Sequence, residues 1–366
     1  IGAELIGSDD VLADAELLSL ALQVPALIGL KDIEVELADM EVLHSILDVL
    51  QLSDRASNFV VSSVPQLKEG PTALPAVLER ARQLHLVGHS SREESLSLAI
   101  VGLDDAQARN VLHGFLDWSG ADSPGLGQRS PEQVVDRLLR KLKVSDELGR
   151  LEQGLSLVMR LVAIRGEPAA ALEEAQSVVQ QAGADTVALK RLAQLLEIVD
   201  SAQKVVLDFG LVRGLAYYNG IIFDVKHPQC DGSLGGGGRY DGLSRALGSA
   251  QPVPSLGFAY NLDMLQYAVE SSNDTHSNTQ AGCADDTDSV SGLFSWNSKV
   301  LVSPDDPASY RNALRVANQI RQNGSLVALD VTGKVLHDNL TYARRQGIQQ
   351  VVIVSQSGAA VTHDVE

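Results

Sequence analysis

The segment that most restricts the fold is a run of glycines behind a β-rich stretch. Residues 235–238 are four consecutive glycines, and they follow the alternating pattern of GIIFDVK at 220–226. Glycine weakens the interior of a strand because it has no side chain to pack, but it lets a ligand or another backbone approach closely. Two interpretations stay open, a flexible hairpin turn or a loop brought close to a ligand.

Polar side chains surround these glycines in the sequence. The motif LVRGLAYY runs directly into the strand pattern, and RYDGL follows the last glycine. Arginine can hold a carboxylate through two hydrogen bonds, and tyrosines can enclose a flat polar ligand with ring faces and hydroxyls. A glutamate in the first strand pattern can accept from an ammonium or imidazole N–H.

Taken singly, each of these side chains is equally well explained as a half-buried residue with satisfied hydrogen bonds. Together, at strand ends around glycines, they predict a ligand pocket. Its predicted members are Glu4, Arg213, Tyr217, Tyr218 and Tyr240, with Gly236, Gly237 and Gly238 in a loop at the ligand.

Hydrophobic periodicity divides the chain into segments of different character. Strand and helix patterns alternate at first, and leucines at helical spacing dominate from about 55 to 200. Residues 271–297 are polar, acidic and without periodicity, which is typical of a linker. From 298 to 366 strands and helices alternate, which indicates a small α/β domain with parallel strands. The predicted domains are 1–270, with the helical segment as an insertion, and 298–366.

The segment after the first strand pattern predicts an amphipathic helix. Ser8 and Asp9 are suited to cap its start, and acidic residues populate its first turns. The predicted apolar face consists of Leu12, Leu17, Leu18, Leu20 and Leu22.

The charge balance disfavours a nucleic-acid-binding protein. The chain has 47 Asp and Glu against 29 Lys and Arg, a net charge of −18, and it contains no basic run. A strong negative field repels phosphate polyanions. Residues 298–366 hold seven Lys and Arg against six Asp and Glu, so almost all of the excess lies before them. Protein or small-molecule partners are favoured.

Other classes of site find no support in the sequence. Cys230 and Cys283 are the two cysteines, a number that disfavours a disulfide framework and indicates a reducing cytoplasm. The eight histidines lack the spacing of zinc sites, so we expect neither a metal nor a cofactor. No apolar run approaches the ~18–20 residues that cross a bilayer, so no membrane association is expected.

The chain begins inside a strand pattern. Ile1, Ala3 and Leu5 alternate with other residues, and no methionine precedes them. The pattern predicts a strand that starts earlier, and therefore a fragment or a truncated gene model.

Two motifs of the chain resemble a known family. LVRGLAYYNGIIFDV and GGGGRYDGL resemble the two histidine-recognition signatures of histidyl-tRNA synthetases, and IGAELIG followed by DAELLSLA resembles the segment just after their second class II motif. The resemblance follows the order of elements along nearly the whole chain. It implies an α+β fold with a class II synthetase-like antiparallel sheet and flanking helices, N-terminally incomplete, a helical insertion and a small C-terminal α/β domain. It also implies that the predicted pocket binds histidine.

A second family carries the same signatures, the regulatory subunits of ATP phosphoribosyltransferase, which are synthetase relatives that do not charge tRNA. The third motif of synthetases reads like G-F-A-x-x-L-E-R-L, and its arginine offsets phosphate charge on ATP. This chain reads GFAYNLDML, with Asp263 and Met264 in place of the Glu-Arg pair. Methionine carries no charge and donates no hydrogen bond, so adenylation should be crippled. Ala216 also stands where synthetases usually have aspartate, whereas Arg213 is retained.

The function expected from these motifs is that of a non-catalytic regulatory subunit. The resemblance implies a hetero-oligomer with the short catalytic ATP phosphoribosyltransferase subunit, which supports the first step of histidine biosynthesis and its feedback inhibition by histidine. Self-association is expected in the full-length protein, and no tRNA is expected as a partner. Two alternatives stay open: a divergent histidyl-tRNA synthetase, and a synthetase-like paralogue that binds or regulates another partner.

Overall fold

The structure is a computed structural model that describes residues 1–84, 86, 99–100, 103–118, 132, 135, 148–199, 204–213, 217–274 and 298–365. The chain forms two compact units. The first contains Ile1–Val42, Ile164–Ser177 and Asp185–Glu366, and the second contains Leu43–Ala163 and Val178–Ala184. Ala216, Cys283 and residues 275–297 of the predicted linker lie outside the described residues. The domain boundaries drawn from the sequence stay predictions.

A seven-stranded sheet dominates the first unit. Its strands are β1 (Gly2–Ile6), β2 (Glu34–Asp39), β3 (Arg165–Gly166), β4 (Lys204–Asp208), β5 (Ile221–Lys226), β6 (Ser233–Arg239) and β7 (Ser255–Tyr260). They lie in the order β1-β7-β6-β5-β2-β4-β3. Neighbouring strands run antiparallel except β2 and β4, which are parallel.

Helices account for most of the remaining described residues. They are α1 (Val11–Leu27), α2 (Met40–Val49), α3 (Asp54–Ser62), α4 (Val64–Leu67), α5 (Leu74–Gln83), α6 (Asp105–Trp118), α7 (Leu148–Val162), α8 (Pro168–Ala182), α9 (Val187–Ile198), α10 (Leu243–Ala246), α11 (Leu262–Asp274), α12 (Tyr310–Gln322) and α13 (Leu336–Gln346). Among the described helices, none has the length and apolar character needed to cross a membrane. Helix α11 continues through Asp274, four residues into the predicted linker.

The predicted fold class is confirmed, because the protein has a mixed α+β architecture with an antiparallel-dominated sheet and flanking helices. Successive side chains of a strand point to opposite faces of the sheet. On one face Leu37 and Phe223 are completely buried, and helices α1 and α9 pack against the sheet. On the same side, the Tyr260 hydroxyl donates to the Ala21 carbonyl of α1 at 2.9 Å. The opposite face is therefore the one on which a ligand can lie.

Helix α1 differs from the amphipathic helix predicted for this segment. Its residues are buried from Val11 through Ser19, including Asp14 and Glu16, so no polar face is exposed over these turns. The helix contacts the sheet, α9 and α12 of the same unit, and these neighbours cover it from several sides. Its N-cap is Asp10, whose carboxylate accepts from the Leu12 amide at 2.7 Å, rather than Ser8 or Asp9.

The four glycines at 235–238 do not form the predicted turn or loop, because all of them lie inside β6. The turn falls earlier, between the end of β5 and Ser233. β6 pairs with β5 on one side and with β7 on the other, so its glycines are central in the sheet. The sequence favoured a turn at these positions because glycine is common in turns. It does not show that side chains from other segments lie across this strand and leave room only for glycine.

The second unit is helical over its described residues. Helix α7 packs against α3, α4 and α5. Gly154 of α7 allows close packing, because a Cβ at this position would approach the side chain of Leu50 to 3.1 Å and that of Leu52 to 3.4 Å.

Residues 299–364 form a four-stranded sheet in the first unit. Its strands are β8 (Lys299–Pro304), β9 (Leu326–Leu329), β10 (Gln350–Val354) and β11 (Ala360–Asp364), in the order β11-β10-β8-β9. β8, β9 and β10 are parallel, as the sequence predicts, and β11 is antiparallel to β10. Val302 and Val352 face Ala313 of α12, whereas Leu301 and Val351 face Ala343 of α13, so the two helices cover opposite faces.

The four-stranded sheet and its helices, hereafter the C-terminal module, contact α1 mainly through polar groups. The Ser8 hydroxyl donates to the Val331 carbonyl at 2.7 Å, and the Tyr310 hydroxyl donates to Asp10 at 2.9 Å. Arg321 of α12 forms an ion pair with Glu16, and both side chains are largely buried. These contacts fix the module on the same helix that covers the large sheet.

Replacing Arg321 by methionine should strongly destabilise the first unit. The substitution leaves Glu16 buried without its cation, and breaking a buried pair from one side costs about 3–5 kcal/mol. Urea unfolding followed by circular dichroism measures the change. The matched control is Arg315→Met on the same helix, an exposed arginine whose loss should change the free energy of unfolding by less than about 0.5 kcal/mol. Equal effects of the two substitutions would contradict a role for the Arg321–Glu16 pair.

Candidate ligand-binding site

The open face of β1, β7 and β6 is a floor of small residues. Glu4 on β1 pairs with Gly257 on β7, which pairs with Gly238 on β6. In the next row, Ala259 on β7 pairs with Gly236 on β6. Because these positions carry little side-chain volume on this face, larger side chains from other segments can lie flat against the backbone.

Arg213 lies across Gly236. A Cβ at Gly236 would overlap the Arg213 guanidinium and the Phe223 carbonyl, so only glycine fits beneath this side chain. The guanidinium donates to the Phe223 carbonyl at 3.2 Å and forms an ion pair with Asp224. Asp224 also accepts from the Ser233 hydroxyl at 3.1 Å. The glycine at 236 therefore sets where the arginine lies.

The three tyrosines form one aromatic cluster beside the floor. The ring centroids of Tyr217 and Tyr218 are 4.8 Å apart, and Tyr240 lies 5.6 Å from Tyr217 and 6.3 Å from Tyr218 in edge-on geometry. Tyr218 covers Gly238, where a Cβ would come within 2.8 Å of its ring. The Tyr240 hydroxyl donates to the carboxylate of Glu4. Side chains from three distant segments therefore meet at this face.

Glu4 lies over the third glycine of the floor. A Cβ at Gly257 would overlap its carboxylate, so this glycine determines the position of Glu4 as Gly236 does that of Arg213. The sequence-based prediction missed Gly257, although its place in the strand pattern GFAY was available as a signal. It also missed Asp224, the ion-pair partner of Arg213.

Burial changes the protonation behaviour of this face. Desolvation raises the pKa of the Glu4 carboxyl group. Burial, together with the hydrogen bond to Tyr217, raises the pKa of Tyr218 to about 12, so its hydroxyl stays protonated near neutral pH. Burial also raises the pKa of Asp224, and the neighbouring Arg213 opposes this effect only in part. The site thus presents hydroxyl donors, a carboxylate at one end and a guanidinium at the other.

Beneath the floor, the strand that carries the glycines is held by a buried ion-pair cluster. Asp14 of α1 is completely buried and accepts from Arg239 of β6 at 2.6 Å and from Arg191 of α9 at 2.8 Å. Arg239 also donates to the Ser8 carbonyl at 3.1 Å and to Asp241 at 3.2 Å. Because Arg239 directly precedes Tyr240, this cluster positions one edge of the site.

A second buried carboxylate, Asp39 at the end of β2, lies close to this cluster. One oxygen accepts from the Glu41 amide at 2.9 Å, and Oδ2 has no hydrogen-bond partner among the described residues. Burial is the largest cause that raises the pKa of Asp39 to about 7, and the charges of Glu41 and Asp14 add to it while Arg191 opposes it. Asp39 therefore changes charge near neutral pH.

The structure places all five predicted side chains around one face of the sheet, but it divides the predicted glycines. Gly236 and Gly238 face the site, whereas a Cβ at Gly237 would meet Gly257 and Phe258 of the neighbouring strand. Whether these residues bind histidine stays a prediction. No group of three His, Cys, Asp or Glu side chains that could hold a metal occurs in the described parts of the chain.

The charges of the face suit a small zwitterion with a flat polar group. Glu4 can accept from a cationic or N–H group, Arg213 can hold a carboxylate, and the tyrosine rings can pack against a planar ring. The glycines leave room for these side chains to lie close to the sheet. Such groups can hold a ligand of this kind.

The antiparallel-dominated sheet with its flanking helices matches the fold of class II aminoacyl-tRNA synthetase-like domains. A family model described as histidyl-tRNA synthetase matches residues 1–90 and 126–265, more than half of the chain. The chain belongs to the histidyl-tRNA synthetase family.

Curated relatives extend along the whole chain. The histidine–tRNA ligase of Methanocaldococcus jannaschii is 24% identical over 358 residues, which cover 97% of this chain and 63% of the relative. The histidine–tRNA ligase of Thermococcus kodakarensis is 25% identical, and this chain covers 63% of its length. The chain thus spans less than two thirds of the length of these relatives.

Solved structures of this family are more distant. A protein from Bacillus halodurans, described as an ATP phosphoribosyltransferase regulatory subunit/histidyl-tRNA synthetase, is 18% identical with a TM-score of 0.44, over 97% of this chain and 67% of that one. The histidyl-tRNA synthetase of Nostoc sp. PCC 7120 is 16% identical with a TM-score of 0.36, over 99% of this chain and 71% of that one.

Replacing Asp39 by asparagine should reduce the pH dependence of stability. The folded-state pKa of about 7 exceeds the usual value of 3.8, so the stabilising contribution is complete at low pH and is lost as the pH rises through about 7. One titrating group accounts for at most about 1.4 kcal/mol per pH unit. The uncharged amide cannot titrate, so the variant should lose this slope and be more stable than the native protein above neutral pH.

The measurement is the free energy of urea unfolding from about pH 4 to about pH 8, because the linkage acts between the usual pKa of 3.8 and the folded-state pKa of about 7. Asp48→Asn is the control, because Asp48 is an exposed carboxylate on α2. A slope that is unchanged in the Asp39 variant would refute the assignment of a neutral buried carboxyl group.

Proposed function

We propose that the protein is a non-catalytic regulatory subunit of ATP phosphoribosyltransferase. In this role it assembles with a short catalytic subunit that joins ATP to phosphoribosyl pyrophosphate in the first step of histidine biosynthesis. It supports that activity and carries histidine, the feedback inhibitor. The chain spans less than two thirds of the length of these curated relatives. The role of the whole protein is therefore a proposal, inferred from the site that this chain contains.

The observation that carries the proposal is the chemistry at the start of α11. By resemblance, the synthetase arginine that offsets phosphate charge corresponds to Met264, and its neighbour is Asp263. The Asn261 side chain caps this helix by accepting from the amides of Asp263 at 3.0 Å and of Met264 at 3.3 Å. The helix start is thus satisfied within the protein, and a thioether replaces the cation.

The surrounding residues add negative rather than positive charge. Met264 lies near Gly232 of the β5–β6 turn, with its Cε 3.5 Å from the Cβ position of that glycine. Neither the turn 227–232 nor α11 contains a lysine or arginine, whereas both contain aspartate. Transferring an adenylyl group requires cations that offset the charge of the triphosphate. This end of the site is poorly suited to that task.

Arg213 is the arginine that remains at the floor, and it is paired with Asp224. A guanidinium in this position can still hold a ligand carboxylate, because its remaining N–H groups can donate. We therefore infer that the protein keeps amino-acid binding without adenylation. Charged groups that can hold an amino acid remain at the floor, whereas α11 lacks the arginine that the resemblance assigns to adenylation. A regulatory subunit needs only the first.

Arg213→Ala should weaken histidine binding by roughly ten- to a hundredfold, since a hydrogen bond to a charged group contributes about 1.5–3 kcal/mol. Isothermal titration calorimetry of the 366-residue chain with L-histidine measures the change. The control is Arg245→Ala, an exposed arginine of α10, which should leave the affinity unaltered. Unchanged affinity in the Arg213 variant would exclude this arginine as the carboxylate ligand.

The regulatory role is tested by mixing the protein with the short catalytic subunit of the same organism. We expect co-elution in gel filtration, and a rate of phosphoribosyl-ATP formation that rises on addition of the protein and falls again with histidine. Histidine can inhibit only if it binds the inhibited assembly more tightly than the active one. Absence of both a complex and a rate change would overturn the proposal.

A divergent histidyl-tRNA synthetase is the second candidate. It is favoured by the names of the curated relatives, which are histidine–tRNA ligases, and by the retained arginine at 213. Histidine-dependent exchange of pyrophosphate into ATP distinguishes the two. The regulatory proposal requires that exchange stay at background.

A further inference from the structure

The C-terminal module contains a crevice that the proposed function does not use. Its volume is about 610 Å³, within the range of about 300–1,000 Å³ that is typical of small-molecule sites. The crevice is lined by the ends of β8 and β10, by β11 and by the segment that leads from β9 into α13. We propose that it binds a free amino acid with an apolar or aromatic side chain.

The position of the crevice follows from the topology. The chain leaves β8 for β9 on one side and returns to β10 on the other, so the direction of winding reverses between β8 and β10. The helices of the two crossovers, α12 and α13, lie on opposite faces of the sheet. In open α/β sheets, ligands bind outside the carboxyl ends of the strands at such a reversal. Pro304, the last residue of β8, lines the crevice.

The walls of the crevice are apolar and exposed. Val335 and Val361 expose 66% and 56% of their surface, which is high for aliphatic side chains that face one cavity. Leu336, Ile353 and Pro307 complete this lining. At about 25 cal/mol per Å² of apolar surface, covering these side chains favours binding of an aliphatic or aromatic group.

The charged side chains at the rim of the crevice determine which polar groups the ligand must carry. Lys334 supplies one cation, and Asp305 and Asp306 supply two carboxylates. A phosphate-bearing ligand would meet more negative than positive charge, and a simple cation would meet the lysine. A zwitterion satisfies both signs, with its carboxylate toward Lys334 and its ammonium toward the aspartates.

One of the groups assigned to the ligand is partly engaged, because Asp306 Oδ1 accepts from the Ser309 amide at 3.0 Å. In the described parts of the chain, Asp305 and Lys334 form no ion pair, although the Lys334 ammonium lies 5.0 Å from the Tyr342 ring. Other polar groups of the lining are already engaged. Ser303 bonds to Asp330 at 3.0 Å, and the Tyr310 hydroxyl donates to Asp10. Within the described part of the chain, Asp305, Lys334 and Oδ2 of Asp306 are thus the rim groups left for a ligand.

The test uses the 366-residue chain and L-phenylalanine as the probe, with binding measured by isothermal titration calorimetry. We expect saturable binding with one site per chain. Val361→Asp, which places a charge on the apolar wall, and Lys334→Glu should each weaken binding at least tenfold. Val187→Asp is the matched control, because it adds the same charge to another exposed valine, on α9.

The zwitterion is tested with two analogues. Phenylalanine methyl ester lacks the carboxylate and 3-phenylpropionate lacks the ammonium group, and each should bind at least tenfold more weakly than L-phenylalanine. Equal binding of 3-phenylpropionate would overturn the assignment of the aspartates. No saturable binding of L-phenylalanine at millimolar concentration would overturn the proposal itself.

The Arg213→Ala variant separates this site from the histidine-binding face. If L-phenylalanine binds in the crevice, its affinity is unchanged in that variant. Loss of L-phenylalanine binding on Arg213→Ala, with no effect of Lys334→Glu, would place the ligand on the glycine floor and refute the crevice. Neither result tests the proposed regulatory role, which is decided by the assay with the short catalytic subunit.

Discussion

The clamp on Asp14 is the interaction on which the rest of the first unit depends. A completely buried carboxylate is costly unless it is paired, and here two arginines from distant segments hold it at 2.6 and 2.8 Å. Burial raises the pKa of Asp14, and Arg239 and Arg191 oppose this. Through these contacts one side chain joins α1, β6 and α9. The helices cannot separate from the sheet without leaving unpaired charges in the interior.

Ion pairs of this kind also account for the burial of acidic side chains in α1. The helix holds Arg239 with Asp14, and two residues further on it holds Arg321 of the C-terminal module with Glu16. Two acidic residues in a segment predicted to be an amphipathic helix are thus internal anchors. Their partners Arg239 and Arg321 lie more than two hundred positions away in the chain, and Arg191 lies 177 positions from Asp14. The strand that carries the ligand floor and the C-terminal module are therefore attached to one element.

Some of these features could be predicted from the sequence and others could not. The fold class was predicted from the resemblance of the two polar motifs to a known family, whereas hydrophobic periodicity located the helical segment and the alternating strands and helices of the C-terminal module, because that spacing is local. The position of the glycines in β6 was not accessible, since a run of four glycines has no alternation to mark a strand. Its cause is non-local: Arg213 and Tyr218 need the room that Gly236 and Gly238 leave. Nor does any pattern around Arg239 indicate that it pairs with Asp14.

The ion pair between Arg213 and Asp224 gives the proposed regulation a physical basis. Without a ligand, the guanidinium is held by Asp224 and by the Phe223 carbonyl. In the proposed role, a histidine carboxylate that draws the guanidinium away from Asp224 makes the free and bound states differ in a discrete contact rather than in a gradual shift. Burial raises the pKa of Asp224 and the charge of Arg213 opposes this effect, so the two groups are electrostatically coupled. A site with two such arrangements can transmit ligand binding to a partner, provided that the partner favours one of them.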